Sequence, residues 1–334
     1  MPRKKRCTLV GLIALAAGLY VVRLRFPHPE QLSDLQQVLI GARAWMAGAN
    51  PYEAVQTWSK WPYPLLYPFT AVVAVTPLAI LPTWLAEALF MALGAGLLAW
   101  GLTRYTGDEP KLLVFASAPF IHAVVLNQWS PLQTGAALMP SLGFVLACKP
   151  NIGLALFAAR PSVISAASCA ALVVLSFVLW PHWVPAWRGA LAAGAPISLS
   201  LVTLPGGVLL LLAALRWRQP EGRLLLALSV VPQTTLPYQA LPLFLIPRTW
   251  NEAAIVWAGT AAELLGHHLM GPYDSQVAWL RAEALWQLYC AYLPCLLIVL
   301  RGFFASSGNR DVERVGAWLG RVREKAGLMR AGTT

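Results

Sequence analysis

The sequence predicts an all-α polytopic membrane protein with about 10–12 transmembrane helices, and three observations point there. Of its 334 residues 58% are hydrophobic and 12% are charged, and the mean hydropathy is +0.60. That share of charge is about half the norm for a soluble domain, and so much apolar side chain exceeds what one water-soluble core can bury. The apolar runs are long and unbroken, whereas barrel strands alternate over short segments. The net charge of +11 is concentrated at the two ends. Disorder and an ordinary cytosolic enzyme are both excluded by this composition.

The first element is a span over about 7–24, preceded by Arg3, Lys4, Lys5 and Arg6. No small-residue cleavage site precedes Arg23 and Arg25, so the span is expected to be uncleaved. Further apolar segments cover about 64–82, 84–103, 111–127, 131–148, 162–180, 196–215, 224–247, 250–268 and 282–300. Lys149-Pro150-Asn151 interrupts one stretch and Pro232, Pro237 and Pro242 interrupt another, so re-entrant or broken helices are expected there. Residues 1–300 then form the transmembrane domain, and 301–334 form a basic tail. In that tail Val312, Val315, Leu319 and Val322 recur at helical spacing between arginines, as in an amphipathic helix on the inner leaflet. The positive-inside rule places both termini in the cytoplasm. The basic excess suits membrane lipids; no nucleic-acid motif accompanies it.

The loop over about 25–63 then lies outside, facing the extracytoplasmic side. Ser33-Asp34-Leu35-Gln36 reads as a capping box. Leu35, Val38, Leu39, Ala42, Trp45 and Met46 follow at helical spacing and predict an amphipathic helix along the membrane surface. Asp34 falls in its first turn, where the helix dipole favours a carboxylate. It serves there as a general base or simply improves the helix start. Asn50-Pro51-Tyr52 is a turn, and Trp58, Trp61, Tyr63 and Tyr67 among prolines form an aromatic belt or a substrate platform. Asp108-Glu109 is an acidic pair followed by Pro110 and Lys111, which reads as a plain loop. No ligand spacing for a metal is visible, and the five cysteines lie in or beside apolar runs.

Taken in order, Asp34, the segment Ala47-Gly48-Ala49-Asn50-Pro51-Tyr52, the segment Tyr63-Pro64-Leu65-Leu66-Tyr67-Pro68, then Asn127-Gln128 and Lys149-Pro150 resemble glycosyltransferase family 87 of the GT-C superfamily. The resemblance covers about residues 30–160. The family's "YPPL" reads Tyr63-Pro64-Leu65 here, and its Gly-Gln pair reads Asn127-Gln128. The resemblance implies a GT-C-like bundle and an inverting hexosyltransferase. The donor would be a polyprenyl-phosphate hexose, typically mannose, and the acceptor a lipid-linked or cell-envelope glycan. Asp34 would be the base, and Lys149, with Arg43 as a weaker candidate, would hold the donor phosphate. Asn50, Tyr52, Tyr63, Gln128 and Tyr238 would be candidates for substrate hydrogen bonds. His122 and His267 are candidates for a second acid or base. No cofactor is expected. Two other readings stay open: a transporter or flippase of a lipid-linked molecule, which the broken helices and Lys149 also fit, and a non-catalytic relative that acts as an assembly partner, which the shorter chain allows.

Overall fold

The computed structural model describes residues 2–28, 32–58, 64–104, 108–194, 197–269 and 271–306. The expected basic helix over 311–328 lies outside them, as do Trp61, Pro62 and Tyr63. The boundary expected at 301 falls within one helix, Leu293–Ser306.

Every named element among the described residues is a helix, and their one strand-like feature is an isolated bridge between Leu199 and Gln233. Among them, three helices are long and apolar enough to cross a membrane: Arg3–Arg25, Thr83–Leu102 and Gln276–Arg301. Two bent pairs raise that number to five if each is one span: Glu109–Ala116 with Ala118–Leu126 at 51°, and Val163–Leu179 with Trp183–Gly194 at 105°. One segment expected as a single span is broken, and one expected to be interrupted is broken at its prolines. The 131–148 stretch divides into Ser130–Ala137 and a 3-10 helix, Pro140–Cys148, because Pro140 cannot continue the ladder. The 224–247 stretch divides into Pro220–Val230 and Pro237–Leu245 around Pro232 and Thr235, whose φ is +51°.

Small residues set the packing. Arg3–Arg25 lies along Thr83–Leu102. A Cβ on Gly18 would sit 3.2 Å from Ala92, and one on Gly96 would sit 3.2 Å from Ala14. The next seam is tighter: a Cβ on Gly135 would meet the Leu98 nitrogen at 2.7 Å. Such close approach maximises dispersion contact where no hydrophobic driving force acts between helices.

At one end of this bundle the first loop folds back on it. The helix Asp34–Met46 starts at Ser33, whose hydroxyl accepts from the Gln36 amide at 3.1 Å. Only that half of the capping box forms, since Gln36 Oε1 has no hydrogen-bond partner. The Ser33 hydroxyl donates instead to buried Glu87, which also pairs with Arg25 at 3.4 Å. The apolar face of the helix, with Leu35, Val38, Leu39 and Ala42, packs on Phe69–Ala79 in a core that also holds Tyr67, Phe69 and Trp129.

Candidate functional site

Three breaks in the chain converge beneath this loop. Asp34 arrives on the first turn of its helix. Gln128 follows Asn127, which ends the helix Ala118–Leu126 in the left-handed region at φ +53°. Glycine and asparagine tolerate that conformation best. Lys149 stands between Pro140–Cys148 and the helix Pro150–Ala159. Pro150 excludes the α conformation for the residue before it, and Lys149 has φ −138° and ψ 85°. Its carbonyl is held by Gln133 Nε2 at 3.2 Å.

The three side chains form a chain of hydrogen bonds. Gln128 Nε2 donates to Asp34 Oδ2. Gln128 Oε1 accepts from Lys149 Nζ at 2.7 Å and from the Tyr67 hydroxyl at 3.4 Å. Lys149 Nζ sits 4.5 Å from the centre of the Tyr238 ring and 5.4 Å from that of Tyr67, within cation–π range. His122 also stacks on Tyr238, with ring centres 5.7 Å apart and planes at 17°. A carboxylate and an ammonium are thus held together but separated by one amide.

Asp34, Tyr67, His122, Lys149 and Tyr238 line a cavity of about 610 Å³. Its remaining walls are mainly apolar, with Leu66, Leu126, Leu154, Leu191 and Val231 and two tryptophans, Trp187 and Trp279, interrupted by polar side chains such as Gln37, Asn151, Gln233 and Gln239. Burial pushes the Asp34 carboxyl up to about 6, against the opposing pull of Lys149. The N-terminus of Pro150–Ala159 opens on the same cavity through Pro150 and Asn151. A lysine beside the positive end of a helix is a suitable anchor for a phosphate, and a carboxylate at about 6 is a usable base near neutral pH.

Other expected site residues have structural partners. Arg43 does not line the cavity; its guanidinium donates at 2.9 Å to the Ala79 carbonyl, the Leu81 carbonyl and the Thr83 hydroxyl. Asn50 caps the helix Pro51–Thr57, accepting from the Tyr52 amide at 3.0 Å and donating to Glu53 at 2.8 Å. Tyr52 acts from behind the cavity, donating to the Tyr67 carbonyl at 3.2 Å. His267 falls in the helix Trp250–Leu269, with its side chain outside the described residues. Asp108 pairs with Lys111 at 2.5 Å, and among the described residues no group of three His, Cys, Asp or Glu could hold a metal ion. Several cavity residues carried no sequence signal, Trp187 and Trp279 among them. Gln37 did carry one, because it lies three residues from Asp34 and so shares its helix face.

No protein-family model, curated protein or solved structure matches this chain.

Proposed function

We propose that the protein is an integral-membrane, inverting glycosyltransferase of the GT-C type, related to family 87. It would move a hexose, mannose by the family resemblance, from a polyprenyl-phosphate donor to a lipid-linked or cell-envelope acceptor. The observation that carries this reading is the Asp34–Gln128–Lys149 chain at the wall of a largely apolar cavity. Asp34 takes the proton of the acceptor hydroxyl. The freed oxygen attacks the anomeric carbon on the face opposite the leaving group, and the C1–O bond to the polyprenyl phosphate breaks with its electron pair on the phosphate. Lys149 and the Pro150–Ala159 N-terminus stabilise that growing negative charge. Gln128 keeps the base and the cation from collapsing into a direct ion pair. The apolar walls suit a prenyl chain, and the aromatic side chains suit sugar faces.

The orientation proposed is the one in which the cavity faces the extracytoplasmic side. The helix Gln276–Arg301 brings Trp279 and Leu280 to the cavity and Arg301 to the far end. That far end also carries Arg216, Arg218 and Arg223, which matches the positive-inside rule.

The test is sugar transfer by the purified protein in lipid, with a panel of radiolabelled polyprenyl-phosphate sugars and Asp34→Asn in parallel. Wild type transfers or slowly hydrolyses one donor, and the variant loses about 10²–10⁴-fold in turnover while still binding it. Inert wild type across the panel, or equal turnover by both proteins, defeats the proposal.

A further inference from the structure

A second cavity of about 250 Å³ lies at the other end of the bundle. Two elements run from one cavity to the other. The helix Gln276–Arg301 gives Leu280 to the first and Ile298 to the second, about 27 Å along its axis. The helix Pro220–Val230 begins at the second cavity with Glu221 and Gly222, and the chain reaches the first at Val231 and Pro232. The separation is close to the thickness of a bilayer core.

The lining of this second cavity is mixed in a particular way. Arg216, Arg248 and Arg301 reach it from three separate segments, with Glu221 and Glu252, over a floor of Ile246, Ile298 and Val299. Formal charges sum to one positive. Glu221 Oε1 holds Arg248 at 2.9 Å, and Glu252 accepts from the Arg248 backbone amide at 2.8 Å. Those bonds occupy Arg248, one oxygen of Glu221 and one oxygen of Glu252. No hydrogen bond or ion pair engages Arg301 among the described residues, whereas Arg216 has an interaction of its own, and Glu221 Oε2 is buried without a hydrogen-bond partner. The helix Pro220–Val230 also begins here with no side-chain cap. The position is shaped by backbone contact, since a Cβ on Gly222 would stand 2.3 Å from the Arg216 carbonyl.

We propose that this cavity binds the headgroup of an anionic phospholipid that carries a hydroxyl next to its phosphodiester. Arg301 takes the phosphate, Arg216 adds positive charge at the same cavity wall, and a headgroup hydroxyl donates to Glu221 Oε2. One phosphodiester charge neutralises the excess positive charge. The isoleucine and valine floor meets the start of the acyl chains. Guanidinium groups suit phosphate oxygens by geometry as well as charge, and basic pockets between membrane helices are suited to lipid phosphates. Phosphatidylglycerol has this chemistry. Phosphatidic acid lacks the hydroxyl, and phosphatidylethanolamine lacks the net charge. The site stands apart from the sugar-transfer proposal.

Native mass spectrometry of the full-length protein in detergent tests it, with each of these three lipids, or inorganic phosphate, added in turn. Phosphatidylglycerol is expected to remain bound about tenfold more than phosphatidylethanolamine. The double variant Arg216→Gln/Arg301→Gln should lose about tenfold of that retention, and Glu221→Gln should erase the preference over phosphatidic acid. Arg218→Gln should change nothing, because Arg218 stacks on Trp217 outside the cavity. If the double variant melts early, Arg301→Lys and Arg301→Gln decide: the first keeps the lipid and the second loses it. Unchanged retention in the glutamine variants overturns the proposal. So does phosphatidylethanolamine binding as well as phosphatidylglycerol. Displacement of the lipid by inorganic phosphate would assign the pocket to a soluble phosphate instead.

Discussion

At Asp34, fold and chemistry pull in opposite directions. A carboxyl held at about 6 is protonated more readily in the folded chain than in the unfolded one, where the ordinary value is 3.8. Stability from this group is therefore full below the ordinary value and is lost as pH rises to about 6, then constant above it. Activity runs the other way, because the base works only when ionised. Turnover should climb tenfold per pH unit below about 6 and level off above it. A pH–rate profile that is flat through this range removes Asp34 as the base. Arg43 makes a different point. A surface-helix arginine near an expected phosphate site looks like an anion ligand, yet its three bonds tie the first loop to the turn at 79–83. Arg43→Ala should cost about 2–3 kcal/mol, seen as a lower melting temperature, with the KM for donor nearly unchanged. A large rise in KM at unchanged stability would return Arg43 to the phosphate. Nothing in the sequence marks which carbonyls will be left open at the end of a neighbouring helix, so this role was not legible in advance.

At the level of elements, what could be read and what could not divide along one line. The amphipathic Asp34–Met46 helix and the break at Lys149 were both legible, because a serine cap and a proline act on their own neighbours. The break around Pro232 was legible for the same reason, whereas the one inside 131–148 was not, because composition cannot tell an 18-residue helix from two short ones joined at a proline. The meeting of Asp34 with Gln128 spans 94 positions and depends on the left-handed turn at Asn127, which only the assembled chain shows. Close packing then fixes these short pieces. In the helix that begins after Lys149, a Cβ on Gly153 would stand 1.9 Å from the Leu146 carbonyl. Gly153→Ala should force Pro150–Ala159 off Pro140–Cys148, costing about 3 kcal/mol or more and moving Lys149 from Gln128. Loss of turnover should accompany the lower melting temperature. A variant with wild-type stability and turnover would show that the two segments tolerate separation.

For the molecule as a whole, the two cavities define two faces. If the proposed orientation is right, a cysteine at exposed Gln56 should react with an impermeant maleimide from outside intact cells. One at exposed Gln219 should react only after the membrane is opened, in each case with native Cys7 changed to serine. The reverse pattern would invert the protein and put the Asp34 cavity in the cytoplasm. The polytopic class was legible from hydropathy alone, whereas a sum over composition says nothing of which helices remain whole. The Arg25–Glu87 pair adds a constraint of timing. The first helix ends in a cation whose counter-charge lies some 60 residues further along the chain, on the helix that becomes its closest packing partner. During synthesis at about 5–20 residues per second, Arg25 waits several seconds before Glu87 emerges. Until then the end of the first helix must stay near water or the insertion machinery. The pairing makes the birth of this membrane domain sequential, with the floor of the first loop settled only after the second long helix has entered the bilayer.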